Sequence, residues 1–195
     1  MNKKLLVVSG HFLSLALAVA SALLTPAEAR ALESGRIGRG AFSIMPKNSS
    51  LDAGVRAEMW TDAQTNSQRW VVQSAGSTAC YLVNAYTGKY LACTAGVTAG
   101  SGITVQERAS AGSRGRWELM PVEGKDGQYI IYANTTRRYA LSTQAAPADG
   151  STLLLVDAGK ADSSQIMWTV EECDARENAL TPAVRDDMME KWKEH

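Results

Sequence analysis

Histidine is nearly missing from this chain: of 195 residues only His11 and His195 are histidines. One lies inside an N-terminal apolar run and the other is the last residue. A serine or cysteine nucleophile activated by an internal histidine is thereby excluded, as is a histidine-based metal centre. Neither a Gly-x-x-x-x-Gly-Lys-Ser/Thr loop nor a Gly-x-Ser-x-Gly elbow occurs. Carboxylates are plentiful, but no spacing singles out a glycosidase-type pair. The residues read as those of a non-enzyme that needs no cofactor and no metal. An excess of one charge is also missing, because 20 basic side chains balance 20 acidic ones. A neutral chain without a basic stripe lacks the field that recruits nucleic acid or an anionic membrane.

The one long apolar run is Leu5 to Leu24. It follows Lys3 and Lys4 and precedes Ala27-Glu28-Ala29, the pattern of a secretory signal cleaved after Ala29. Residues 1–29 are therefore expected to be removed, leaving no membrane insertion, and the mature protein is expected to be secreted or exposed at the cell surface. Cysteine is sparse, with only Cys80, Cys93 and Cys173.

What the chain has instead is repetition. Trp70, Trp117 and Trp168 recur at nearly equal intervals, each closing a degenerate segment with Gln68-Arg69-Trp70, Gly115-Arg116-Trp117 or Gln165-Ile166-Met167-Trp168. A unit this short cannot bury its own apolar face, so the copies must complete one core together. Laying Ala41–Trp60 over Lys89–Arg108 and Arg138–Asp157 aligns Phe42, Tyr90 and Tyr139. It also aligns three small-residue turns, at Asp52-Ala53-Gly54, Gly100-Ser101-Gly102 and Asp149-Gly150-Ser151. Short β-branched and aromatic runs flank these turns, so four strands per copy are expected, twelve in all. In the first copy, residues 34–40 must supply the opening strand and turn.

In the second copy, Cys80-Tyr81-Leu82-Val83 and Tyr90-Leu91-Ala92-Cys93 form a hairpin over Asn84 to Lys89. With Val83 opposite Tyr90, Cys80 faces Cys93. That register predicts a disulfide between them, the alternative being two buried thiols. Cys173 is then the odd cysteine. After Glu172 the character changes: Thr181-Pro182 has the form of a helix cap, and Val184, Met188 and Trp192 recur on one face. Residues 173–195 are expected to be a tail with a short amphipathic helix, which docks on the body of the protein or on a partner.

The Gln-x-Trp endings, the Gly-Lys-Tyr-Leu hairpin and the turn before each third strand resemble the ricin-type β-trefoil lectin domain, in the divergent form found in exported bacterial proteins. The resemblance runs from Glu33 to Glu172, and residues 30–172 are assigned to it. It implies an all-β trefoil with pseudo-threefold symmetry and up to three shallow sugar sites. The tryptophans of the endings are expected in the core, with Gln68 and Gln165 holding their loops. The family's sugar-gripping aspartate is replaced by Ile44, Ala92 and Leu141. Its stacking aromatic survives only as Trp60, with Arg108 and Asp157 at the matching places.

The resemblance thus implies carbohydrate binding through the first copy. Trp60 is the platform, Glu58 and Asp52 are hydroxyl acceptors, Asn66 is a donor and Gln68 steadies the loop. The expected partners are glycans of a glycoprotein or polysaccharide. The competing reading is a trefoil that has lost sugar binding and serves as a protein-interaction or inhibitory module, with a protein partner.

Overall fold

The structure, a computed structural model, describes residues 35–134 and 136–172. The expected signal at 1–29, Cys173 and the expected helix after Thr181 lie outside these residues. The described chain contains the expected twelve strands. The first copy supplies β1 (Gly35–Arg39), β2 (Phe42–Pro46), β3 (Ala57–Thr61) and β4 (Arg69–Ser74). The second supplies β5 (Cys80–Asn84), β6 (Tyr90–Cys93), β7 (Ile103–Gln106) and β8 (Trp117–Pro121). The third supplies β9 (Gln128–Ala133), β10 (Tyr139–Thr143), β11 (Ser151–Asp157) and β12 (Met167–Glu172). Helix among the described residues is confined to single turns, the α-helical ones being α1 (Arg108–Ala111) and α2 (Ser163–Ile166).

Antiparallel pairs β1–β4, β4–β5, β5–β8, β8–β9, β9–β12 and β12–β1 close a six-stranded ring. Closure leaves that ring no free edge to template aggregation. The other six strands form hairpins β2–β3, β6–β7 and β10–β11, which cap the ring. The hairpins meet through the same contact made three times: Arg56↔Thr104, Gly102↔Leu154 and Thr152↔Glu58. This is the β-trefoil. The first-copy strand that the sequence marks least clearly is present, and its Gly38 is obligatory. A Cβ there would lie 2.3 Å from the Phe42 carbonyl oxygen, so any side chain would force β1 and β2 apart.

Trp70, Trp117 and Trp168 lie in the core as expected, all but inaccessible to solvent. Each indole N–H donates to a carbonyl of a cap hairpin: Trp70 to Ile44 at 2.9 Å, Trp117 to Leu91 at 2.8 Å and Trp168 to Leu141 at 2.9 Å. The rings thus tie the barrel to the cap as well as filling it. A buried indole needs such a partner, because an unpaired N–H in the interior is costly.

Two expectations are corrected. The first is the register between copies. The repeated hairpin contacts make Glu58, Thr104 and Leu154 equivalent, so the counterparts of Trp60 are Gln106 and Val156, not Arg108 and Asp157. Likewise Ile44 corresponds to Leu91 and not Ala92. In the second copy that offset of one residue is already present at β6, and loop length adds one residue in both the second and third copies: Ile44↔Met59 encloses one residue more than Leu91↔Val105 or Leu141↔Leu155. A turn at Lys47–Ser49, with Asn48 and Ser49 at positive φ, takes up that residue in the first copy.

The second correction is the disulfide. Cys80 and Cys93 are both free and buried. Val83 does pair with Tyr90, but there the two strands part, β5 into the ring and β6 into the cap. Cys80 lies opposite Trp117 and Cys93 opposite Ile103. Burial pushes the Cys80 thiol up to about 12, with the Glu118 charge adding to it, and the Cys93 thiol up to about 11.

Candidate functional site

Alternation along β3 sends Ala57 and Met59 into the core and turns Glu58 and Trp60 to the outer face. Trp60 is partly exposed, while Glu58 is buried beside it. Its indole N–H donates to Glu58 Oε2 at 3.2 Å, which fixes the ring by its edge. Gln106 and Thr104, the equivalent pair of the second copy, keep the same link at 2.9 Å without an aromatic ring.

The ring is flanked by the third copy. A Cβ on Gly150 would lie 4.0 Å from Trp60 Cζ2, and the Gly150 N–H donates to the Met59 carbonyl at 2.9 Å. The neighbouring Asp149 accepts two hydrogen bonds from Thr61 through Oδ1, from the backbone N–H at 2.6 Å and from the hydroxyl at 2.9 Å. Asp149 stands in the sequence only as part of a turn. Nothing in the pattern of one copy signals that this turn borders the ring of another.

Beyond β3 the chain is held by Gln68. Its amide N–H donates to the Thr61 carbonyl at 2.9 Å, and its carbonyl oxygen accepts the Ala63 N–H at 2.8 Å and the Thr65 hydroxyl at 3.2 Å. The other copies hold this loop differently. Gln165 is exposed, and there the backbone takes over, its carbonyl accepting the Ser142 hydroxyl at 2.8 Å. Gly115 is buried where a Cβ would lie 2.9 Å from that of Ala111, so glutamine cannot fit. Arg114 spans that loop instead, donating to the Thr94 and Ser110 carbonyls, each at 2.7 Å.

An ion-pair network lies behind the loop. Asp62 sits between Arg69 at 2.9 Å and Arg36 at 3.3 Å, and Arg36 also reaches Ser43 at 2.8 Å and Glu171 at 3.1 Å. Burial alone would raise the Asp62 carboxyl. Hydrogen bonds from Arg69 and the Gln64 N–H, with the charges of both arginines, outweigh it and hold the group below its ordinary range.

Trp60, Glu58 and Gln68 are therefore brought together. Asn66 lies in the turn just before Gln68, partly exposed, its carbonyl accepting the Arg69 N–H. Asp52 is set apart. It is exposed in the turn before β3, at the end of that strand away from Trp60, where Gly54 donates to the Val105 carbonyl of the second copy. Its Oδ2 accepts the Ser50 hydroxyl at 3.3 Å, a contact local to the turn.

The ring, its threefold cap and the buried indoles define a β-trefoil protein. Residues 66–156 match the family model described as ricin-type beta-trefoil lectin domain-like. Among solved structures, it is similar to the designed 3-fold symmetric protein ThreeFoil, with TM-score 0.64 and 18% identity over 72% of this chain and 99% of that one. It is also similar to the Macrolepiota procera ricin B-like lectin in complex with lactose, with TM-score 0.59 and 15% identity over 72% of this chain and 96% of the lectin. A chain of the Haemophilus ducreyi cytolethal distending toxin matches with TM-score 0.58 and 13% identity, covering 80% of this chain and 92% of its own. No curated protein matches by sequence.

Proposed function

We propose that this is an exported carbohydrate-binding protein, with residues 1–29 as its cleaved signal, which engages glycans of a glycoprotein or polysaccharide mainly through its first copy. The observation that carries this reading is Trp60. It is a partly exposed indole, clamped at its edge by Glu58, at a position where the other copies have Gln106 and Val156. A pyranose stacks its apolar face on such a ring, and a shallow site gains from groups fixed before the ligand arrives. Gln68 fixes the neighbouring loop in advance. The role of Glu58 in this reading is to hold the platform, since its Oε2 already accepts the indole N–H. The lactose complex of the Macrolepiota procera lectin adds support from a protein of the same fold.

Glycan-array screening of the purified protein, followed by titration of a bound glycan, tests the proposal. Binding that disappears in Trp60→Ala while the fold persists is the expected result. An array without binders, or full affinity in that variant, refutes it and favours the trefoil as a protein-interaction module.

A further inference from the structure

We infer that the sugar site is shared between the first and third copies, with Asp149 as its hydroxyl acceptor, and that it selects neutral saccharides over acidic ones. This inference rests on the carbohydrate-binding reading and names the ligand class for the same site. Among the described residues Asp149 is the carboxylate that is both exposed and fixed next to the Trp60 platform. Its Oδ1 is committed to the Thr61 N–H and hydroxyl, at 2.6 and 2.9 Å, so the group is oriented before any ligand arrives. Its Oδ2 takes no hydrogen bond from the described residues and is left to accept from a ligand. The two acceptors expected from the sequence are less suited: Glu58 is buried and holds the indole, and Asp52 lies at the other end of β3.

The selectivity follows from charge. Asp149 and Glu58 flank the ring, and neither forms an ion pair among the described residues. The two arginines behind the neighbouring loop, Arg36 and Arg69, are bound to Asp62 and Glu171. A hydroxyl donates to a carboxylate in a charge-assisted bond, whereas a uronate, sialate or sulfate placed there meets like charge. The site therefore fits a pyranose that stacks on Trp60 and presents hydroxyls to Asp149.

The test compares the wild type with Asp149→Asn and Thr61→Val, titrated with a neutral glycan found on the array and with its sialylated or uronate analogue. Asp149→Asn is expected to weaken the neutral glycan about tenfold, the loss of one charge-assisted bond, and to narrow the preference over the acidic analogue. Thr61→Val keeps the charge but loosens the carboxylate, so it should weaken binding while leaving that preference intact. Unaltered melting temperatures establish that each variant is folded, as expected for exposed positions. A wild type that prefers the acidic glycan, or an Asp149→Asn variant with unchanged affinity and preference, overturns this inference alone. A wild type that binds no glycan overturns the carbohydrate-binding reading with it.

Discussion

Replacing Trp117 separates the two contributions this residue makes to the fold. The indole is fully buried and donates at 2.8 Å to the Leu91 carbonyl, an oxygen so enclosed that a Cβ on Gly115 would lie 3.3 Å from it. Trp117→Phe keeps most of the apolar volume but leaves that carbonyl without its donor, which costs about 1–3 kcal/mol. Trp117→Ala also opens a cavity, and the total rises to about 3–5 kcal/mol. For a domain of this size each kcal/mol lowers the melting temperature by about 3 °C. Thermal unfolding followed by circular dichroism should thus show a fall of roughly 3–9 °C for phenylalanine and roughly 9–15 °C for alanine. The threefold geometry adds a further requirement. Trp70→Phe and Trp168→Phe should cost about as much as Trp117→Phe, because Ile44 and Leu141 present the equivalent carbonyls. An alanine variant that melts with the wild type would refute the core placement. A phenylalanine variant that does so would show that the hydrogen bond to the cap contributes nothing.

The cysteines should behave as buried thiols: Cys80 and Cys93 should resist alkylation at pH 8 in the folded protein and react once it is denatured, as mass spectrometry would show. Their folded pKa values, about 12 and about 11, lie above the ordinary 9.0, so their share of stability is whole below about pH 9 and is lost as pH rises towards those values. Asp62 acts in the opposite sense, because its lowered pKa gives stability that is present above the ordinary carboxylate value of 3.8 and lost as pH falls through the depressed one. Asp62→Asn should cost about 2 kcal/mol at neutral pH in denaturant titration, since it removes the charged hydrogen bonds from Arg69 and the ion pair with Arg36, and the deficit should shrink in acid. Glu58→Gln should weaken glycan binding less than Trp60→Ala in calorimetry, because an amide oxygen can still accept the indole N–H.

The fold was legible because its signals are periodic and local. Three tryptophan endings, three glycine-bearing turns and short alternating strands require an all-β chain whose copies share a core, and the spacing places Trp70, Trp117 and Trp168 in that core. Trp60 could also be picked out, since no choice of register gives it an aromatic counterpart. The facts that failed to transfer depend on how strands are exchanged in space. Val83 and Tyr90 pair as the hairpin pattern requires, yet β5 then turns into the ring and β6 into the cap, so Cys80 and Cys93 never face each other. One extra residue in the loop between β2 and β3 shifts the counterparts of Trp60, a change that segments of equal length conceal. Asp149 meets Thr61 across 88 positions of sequence. Local residue pattern determines which segments become strands and which side chains are buried, because both follow from backbone preference and apolar periodicity. Which copies meet, and therefore which carboxylate stands beside Trp60, is decided only when the threefold ring closes, because that neighbourhood is created by closure and belongs to no single repeat.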